Sequence, residues 1–486
     1  MKKIIILILI LMLNTVMKLA AQNVGIGTAT PAFKLDVKNG SINTDSVYRI
    51  GGNTVLSVHG AENIFAGFGS GITNTTGFRN TSVGYGCLFS NTIGSGNAAY
   101  GSHALYFNST GNDNTATGKF ALRFNTTGSG NTANGVFSLY ANTTGSSNTA
   151  FGASALGANT SGHYNLAVGE RSLFSNTTGF SNVAIGVASL YGNAAIGNLV
   201  AIGDSALFNN GAGATGINGT NNTAVGSKAM YSNTTGHGNT AVGFQALYFN
   251  KDGFANTAVG EQALFKTLTT ANTALGTNAG NSFNLGPGNI LIGSASDGNA
   301  DFLSGSIAIG TTVTASNQAR IGNNSMLSIG GFTGWSNISD GRVKRNITDN
   351  VPGLSFINTL KPVTYNLDLD AVDGIIQPPV KKDMAGNIIR LMPVEIAARK
   401  QKEQIVYTGF IAQDVEKAAK DLGYDFSGVD AAKNDKDLYG LRYAEFVVPL
   451  VKAVQEQQQM INNMQKKIAL VEEQNKILLE MLKNKN

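Results

Sequence analysis

The sequence predicts a mainly β protein. A parallel β-solenoid fibre is followed by a small α+β domain and a C-terminal α-helical coiled coil. Three observations carry this prediction. A 17-residue repeat fills the middle of the chain, composition changes abruptly at Ser339, and a heptad pattern runs from Val447 to the end.

The repeat comes first. "NTAVGFQALYFN" at 239 returns as "NTAVGSKAMYSN" at 222, "NTAVGEQALF" at 256 and "NTATGKFALRFN" at 114. Aligned on its glycine, the unit runs from Gly67 through Gly84, Gly101 and onward to Gly310. The step is 17 residues except for 23 between Gly203 and Gly226 and 16 between Gly260 and Gly276. A unit this short cannot bury its own apolar face, so successive copies must stack. Within it, "TAV" or "VAI" is a short strand whose small and β-branched residues suit a tight interior. The leading Asn (Asn80, Asn97, Asn114 and their copies) is expected to form an amide ladder along the fibre. The repeated glycine marks either a positive-φ corner or a close backbone approach. Leu88, Leu105, Leu122 and their copies make a second apolar column, and "NTTG" reads as a turn. Aromatics beside that column, such as Phe174, Tyr191 and Phe208, share its period and read as packing residues rather than a ligand platform. The many "NTT" triplets match a glycosylation sequon but are repeat turns by position.

Composition narrows the function. The chain has 486 residues, 60 glycines, 8 prolines and 13% charged residues, which suits neither disorder nor a collagen repeat. The formal charge is +5, with most Lys and Arg after Ser339, so the repeats carry no basic stripe for nucleic acid. The single cysteine, Cys87, takes a position held elsewhere by Ala104, Ala121 and Ala155 and reads as a small buried residue. The four histidines are scattered, and nothing calls for a metal or other cofactor. "MKKIIILILILMLNTVMKLAAQ" has a basic start, an apolar run too short for the ~20 residues of a membrane helix, and a small-residue cleavage site. It is expected to be a secretory signal removed near Gln22, so the chain should be exported to the cell surface or beyond. No later segment reads as a transmembrane helix.

The organisation expected is a signal at 1–21, an N-terminal cap at 22–62, the solenoid at 63–322, a connector at 323–338, a chaperone-type domain at 339–446 and the coiled coil at 447–486. In the last, Val447, Val454, Ile461, Ile468, Asn475 and Leu482 fall on one heptad position. Leu450, Gln457, Met464, Val471 and Leu478 fall on the other. The pattern does not separate two strands from three.

Three resemblances extend this reading. The strands "NILIG" at 289 and "SIAIG" at 306 resemble the β-roll heads of trimeric autotransporter adhesins, although those repeats are shorter. "NVGIGTATPAFKLDV" resembles the opening of fibre proteins from Bacteroidetes-type bacteria. At the other end, "SDGRVK" at 339, "YTGFIAQDVEKA" at 407 and "LYGLRYAEFVVPLVKAVQEQ" at 438 together resemble the peptidase S74 intramolecular chaperone domain of phage tail spikes and fibres. That resemblance implies a homotrimer and a domain that assembles three chains, then cuts itself off between Ile338 and Ser339. Ser339 would be the nucleophile and Lys344 the base of a serine–lysine dyad. Activity would be a single self-cleavage, with no other substrate.

A lysine serves as base only when neutral, so burial must depress its pKa, and closely packed like charge would help. Arg342 and Arg345 are the candidates for that charge. Residues five apart share neither a helix face nor a strand face, so Asp340-Gly341 must bend the chain to join the dyad. The function expected is a surface fibre, adhesive toward an unidentified surface, glycan or host ligand. Left open are a prophage tail fibre, a trimerising cap without proteolysis, and a membrane-tethered transcription factor. The last lacks both a DNA-binding domain and a membrane helix in the sequence.

Overall fold

The computed structural model describes residues 47–484, except 212–217, 325, 331–335, 381–387 and 389, together with the strands Val24–Ile26 and Leu35–Val37. The expected signal at 1–21 lies outside the described residues. The chain forms two compact units, Met1–Ala133 and Asn134–Asn486.

Both units are built from the same turn, one three-residue strand pairing in parallel and in register with the next. In the first unit Ile64↔Thr81, Thr81↔Ala98 and Ala98↔Thr115 are successive partners. An antiparallel hairpin, Val47–Ile50 with Asn53–Ser57, pairs onto the first of these strands. In the second unit the ladder runs from Thr149–Phe151 to Ala319–Ile321, all parallel. The predicted parallel β-solenoid is what the chain forms.

The central residue of each strand points inward. Ala99, Ala116, Ala150, Ala184 and Ala241 are fully buried, small side chains that suit a narrow coil, while Phe65 in the first unit and Leu291 in the second fill the same position. The first and third residues point outward and are often apolar. Phe151, Ile202, Val242, Leu275, Ile290 and Ile307 are all exposed in the second unit.

The glycine column answers both readings offered for it. From Gly67 to Gly293 its φ lies between +112° and +140°. A Cβ at Gly243, for example, would sit 2.4 Å from the carbonyl oxygen of Gly260 in the next turn. Corner and close approach coincide.

The Leu column behaves differently from an ordinary strand. Leu88, Leu105, Leu156, Leu190, Leu247 and Leu264 are fully buried, yet each holds φ between +49° and +52°. The left-handed conformation costs an L-residue about 1–2 kcal/mol. Burying a leucine stabilises by about 1.5–3 kcal/mol, and each backbone also joins the next turn, as Leu190 N does to Ala206 O at 2.9 Å. Burial and stacking outweigh the conformational cost.

Two asparagine ladders run through each unit, one more than the sequence suggested. In the expected ladder, Asn97 N donates to Asn80 Oδ1 at 2.9 Å and Asn239 N to Asn222 Oδ1 at 3.0 Å. The second ladder is the Asn of "NTTG": Asn108 Nδ2 donates to Asn91 Oδ1, and Asn176 Nδ2 to Asn159 Oδ1, both at 2.8 Å. These side chains are fully buried, so the Asn that heads each sequon triplet is a core residue. The ladder falters where the step changes. Asn210 gives its amide to Gly219 O at the long step, and Asn193 Oδ1 has no partner among the described residues. At the short step Thr267 takes the Asn position, and neither Asn250 Oδ1 nor Thr267 Oγ1 is paired.

The aromatic column packs on itself. Phe174, Tyr191, Phe208, Tyr231, Tyr248 and Phe265 stack in order with centroids 5.0–5.4 Å apart, so their faces are occupied by one another. Cys87 is buried, and burial pushes its thiol up to about 11.

Beyond the solenoid, helices α1 (Leu354–Ile357), α2 (Leu369–Ile376), α3 (Pro393–Glu403) and α4 (Ala412–Asp421) accompany two small antiparallel strand pairs. Their core is Phe356, Val415, Ala419, Phe426 and Phe446. Helix α5 (Val447–Lys483) has 37 residues and is about 55 Å long at 1.5 Å per residue. Its first turns join the domain through buried Pro449 and Ala453, and Glu456 accepts from Leu354 N at 2.7 Å. Past these turns its heptad residues, among them Val454, Ile461, Ile468, Val471 and Leu478, stand exposed.

Candidate functional site

The segment "SDGRVK" begins the C-terminal domain. Asp340 caps a single 3-10 turn, Gly341–Val343, its carboxylate accepting from Arg342 N at 2.9 Å. The turn closes through Val343 N to Asp340 O and Lys344 N to Gly341 O. It reverses the chain within five residues and places Lys344 Nζ 2.9 Å from Ser339 Oγ. An aspartate that caps and a glycine that tolerates the bend are what make this contact possible.

Arg342 does not play the part expected of it. Its guanidinium is bound to Asp340 through Nη2 at 2.5 Å and Nε at 3.0 Å. The Arg342 side-chain and backbone bonds hold the Asp340 carboxyl below the usual carboxylate range, and Asp340 in turn pushes the guanidinium up. A cation neutralised this way supplies little like charge to Lys344. Its role in the turn is to fix Asp340. Arg345, the other candidate, is exposed.

Ser339, Lys344 and the turn between them are exposed in the single chain, and Ile338 before them is 91% exposed. The geometry brings together the two side chains expected to be nucleophile and base. Among the described residues of the single chain, none covers Ser339 or Lys344 enough to bury them.

Other polar groups could not be picked out from sequence. Tyr443 accepts from Phe410 N at 3.2 Å and stacks near Phe410 and Phe446. Asp437 is nearly buried and ion-paired to Arg320 at 2.6 Å. It is one aspartate among many between 421 and 437, with no motif to mark it.

A stack of near-identical turns followed by a small domain fits a tail-fibre-like protein with a C-terminal chaperone domain. Residues 339–424 match the family model described as chaperone of endosialidase, the peptidase S74 type. The chain thus carries a chaperone domain of that family behind its solenoid. No curated protein matches the chain.

Proposed function

We propose that the protein is an exported, adhesive surface fibre of three identical chains, matured by one self-cleavage. The observation that carries the cleavage is the 2.9 Å contact of Lys344 Nζ with Ser339 Oγ at the first residue of the matched domain. Ser339 Oγ attacks the carbonyl carbon of Ile338 while neutral Lys344 takes the hydroxyl proton. The Ile338–Ser339 C–N bond then breaks, the proton passes to the leaving amine, and water opens the resulting ester.

Trimerisation is supported by what a single chain leaves uncovered. The apolar heptad residues of α5 are exposed along most of its length, and an isolated helix with such a stripe buries it against copies of itself. The exposed dyad supports coupling of cleavage to assembly. On assembly another chain covers the dyad and excludes water from it.

Purified full-length protein should yield a fibre ending at Ile338 and a fragment of 486 − 338 = 148 residues. Ser339→Ala should abolish the cut and leave assembly intact. Lys344→Ala should do the same, and Lys344→Arg should not rescue, because guanidinium stays protonated. Ile468→Asp should suppress both assembly and cleavage. If Ser339→Ala still releases the fragment, the dyad assignment is wrong. If the wild-type trimer stays whole, the domain is a trimerising cap only. Export is tested by N-terminal sequencing of the envelope fraction, where a chain beginning near Gln22 is expected.

A further inference from the structure

The inward column of the second unit's ladder ends in a charged residue. In register the column runs Ala241, Ala258, Ala274, Leu291, Ala308 and then Arg320, on the last strand. A guanidinium at a position that the preceding turns fill with buried apolar side chains needs a carboxylate. Asp437 supplies it from beyond the Ile338–Ser339 bond. Its Oδ1 accepts from Arg320 Nη2 at 2.6 Å and from Thr314 Oγ1 at 2.5 Å, and its Oδ2 from Lys433 N at 3.1 Å. The Asp437 side chain is 2% exposed.

Further bonds join the same two stretches of chain. Asn434 Nδ2 donates to Thr314 O at 2.9 Å, Asn299 Nδ2 to Ile376 O at 3.0 Å, and Asn324 Nδ2 to Asp373 Oδ1 at 2.6 Å. Lys402 Nζ donates to Met326 O at 2.8 Å. Every one connects a residue before Ile338 to a residue after Ser339, and none passes through the bond between them.

A solenoid needs a terminal unit that covers its last turn, because an open strand edge recruits other strands. We infer that residues 339–486 have a second role as the end cap of the solenoid, seated on its final turns through Asp437 and Arg320. The cap stays in place when the Ile338–Ser339 bond is cut. This rests on the self-cleavage reading only for the natural origin of the cut.

The test therefore makes the cut by other means. Full-length Ser339→Ala protein, with a site-specific protease sequence inserted between Ile338 and Ser339, is cleaved and passed over a sizing column at physiological salt. The two pieces are expected to co-elute. Asp437→Asn and Arg320→Ala should each speed their separation by about a hundredfold, since removing one partner leaves a buried charge unpaired. The double variant should separate about as fast as the faster single one, the sign of a shared contact. Arg320→Ala guards against misfolding, because alanine is what earlier turns carry at that position, and circular dichroism before the cut checks it. Immediate separation of the unaltered pieces would overturn the inference. So would co-elution with unchanged dissociation in both single variants. Neither result depends on the Ser339–Lys344 chemistry.

Discussion

Gly243 and Gly310 occupy the same column of the repeat, and from sequence an alanine at either should cost the same. The structure predicts otherwise. At Gly243 φ is +135°, and a Cβ would lie 2.4 Å from Gly260 O, 2.6 Å from Gly260 C and 3.0 Å from Glu261 N. Carbon and oxygen approach no closer than about 3.3 Å, so two stacked turns would have to part by roughly 0.9 Å. Their separation is fixed by the strand pairing of Thr240–Val242 with Thr257–Val259 and by the first asparagine ladder, where Asn256 N donates to Asn239 Oδ1 at 2.9 Å, so the strain has no cheap outlet. Backbone strain of about 1–3 kcal/mol and overpacking of about 1–3 kcal/mol give a total near 2–6 kcal/mol. At Gly310 φ is +65° and a Cβ meets nothing within 4 Å, leaving only the left-handed cost of about 1–2 kcal/mol. Urea unfolding of the full-length protein, followed by hydrogen exchange, reads both. Gly243→Ala should lower the midpoint clearly more than Gly310→Ala, with lost protection centred on the turns around 243 and 260, because a solenoid transmits strain mainly to nearest neighbours. Equal costs would refute the argument that stacking, rather than the corner alone, excludes a side chain.

Two further outcomes follow from buried polar groups. Thr267→Asn should restore the interrupted ladder by donating to Asn250 Oδ1, raising stability by about 1 kcal/mol; a drop in the unfolding midpoint would show that the short step leaves no room for the amide. Asp297 is buried, and desolvation pushes its carboxyl up to about 6 despite bonds from Ser282 N and Gly298 N. Between about pH 4 and 6 the folded chain therefore keeps a proton that the unfolded chain releases. Stability should rise as pH falls through 6, by roughly 2–3 kcal/mol in all, and level off below about 4. Urea midpoints at about pH 5 and pH 7.5 check this, and Asp297→Asn should flatten the difference. Asp437 works in the opposite sense outside that window. Burial opposes its charge, but bonds from Thr314, Lys433 and Leu438 and the Arg320 charge hold its carboxyl below the usual range, so its contribution is lost only at more acid pH.

Periodicity alone determined the solenoid. An Asn, a small residue and a Gly returning every 17 positions can be satisfied only by stacking, since each column needs its own copy as partner. The bend at Asp340-Gly341 was legible for a similar reason: two groups five apart can meet only if the chain turns between them. Sequence could not tell that "NTTG" begins with a core residue, because a polar triplet before glycine reads as surface until its amide is seen bonding the turns on either side. Nor could it show that Arg342 is spent on Asp340, or that the dyad faces solvent in a single chain, since ion pairing and exposure depend on which neighbours the fold supplies. The pairing of Arg320 with Asp437 lies furthest from view. The two are 117 residues apart, carry no motif, and become partners only because the solenoid ends where the C-terminal domain begins to cover it. Local pattern fixes what repeats along a chain, whereas contacts made once, between distant segments, are decided by the packing of the whole.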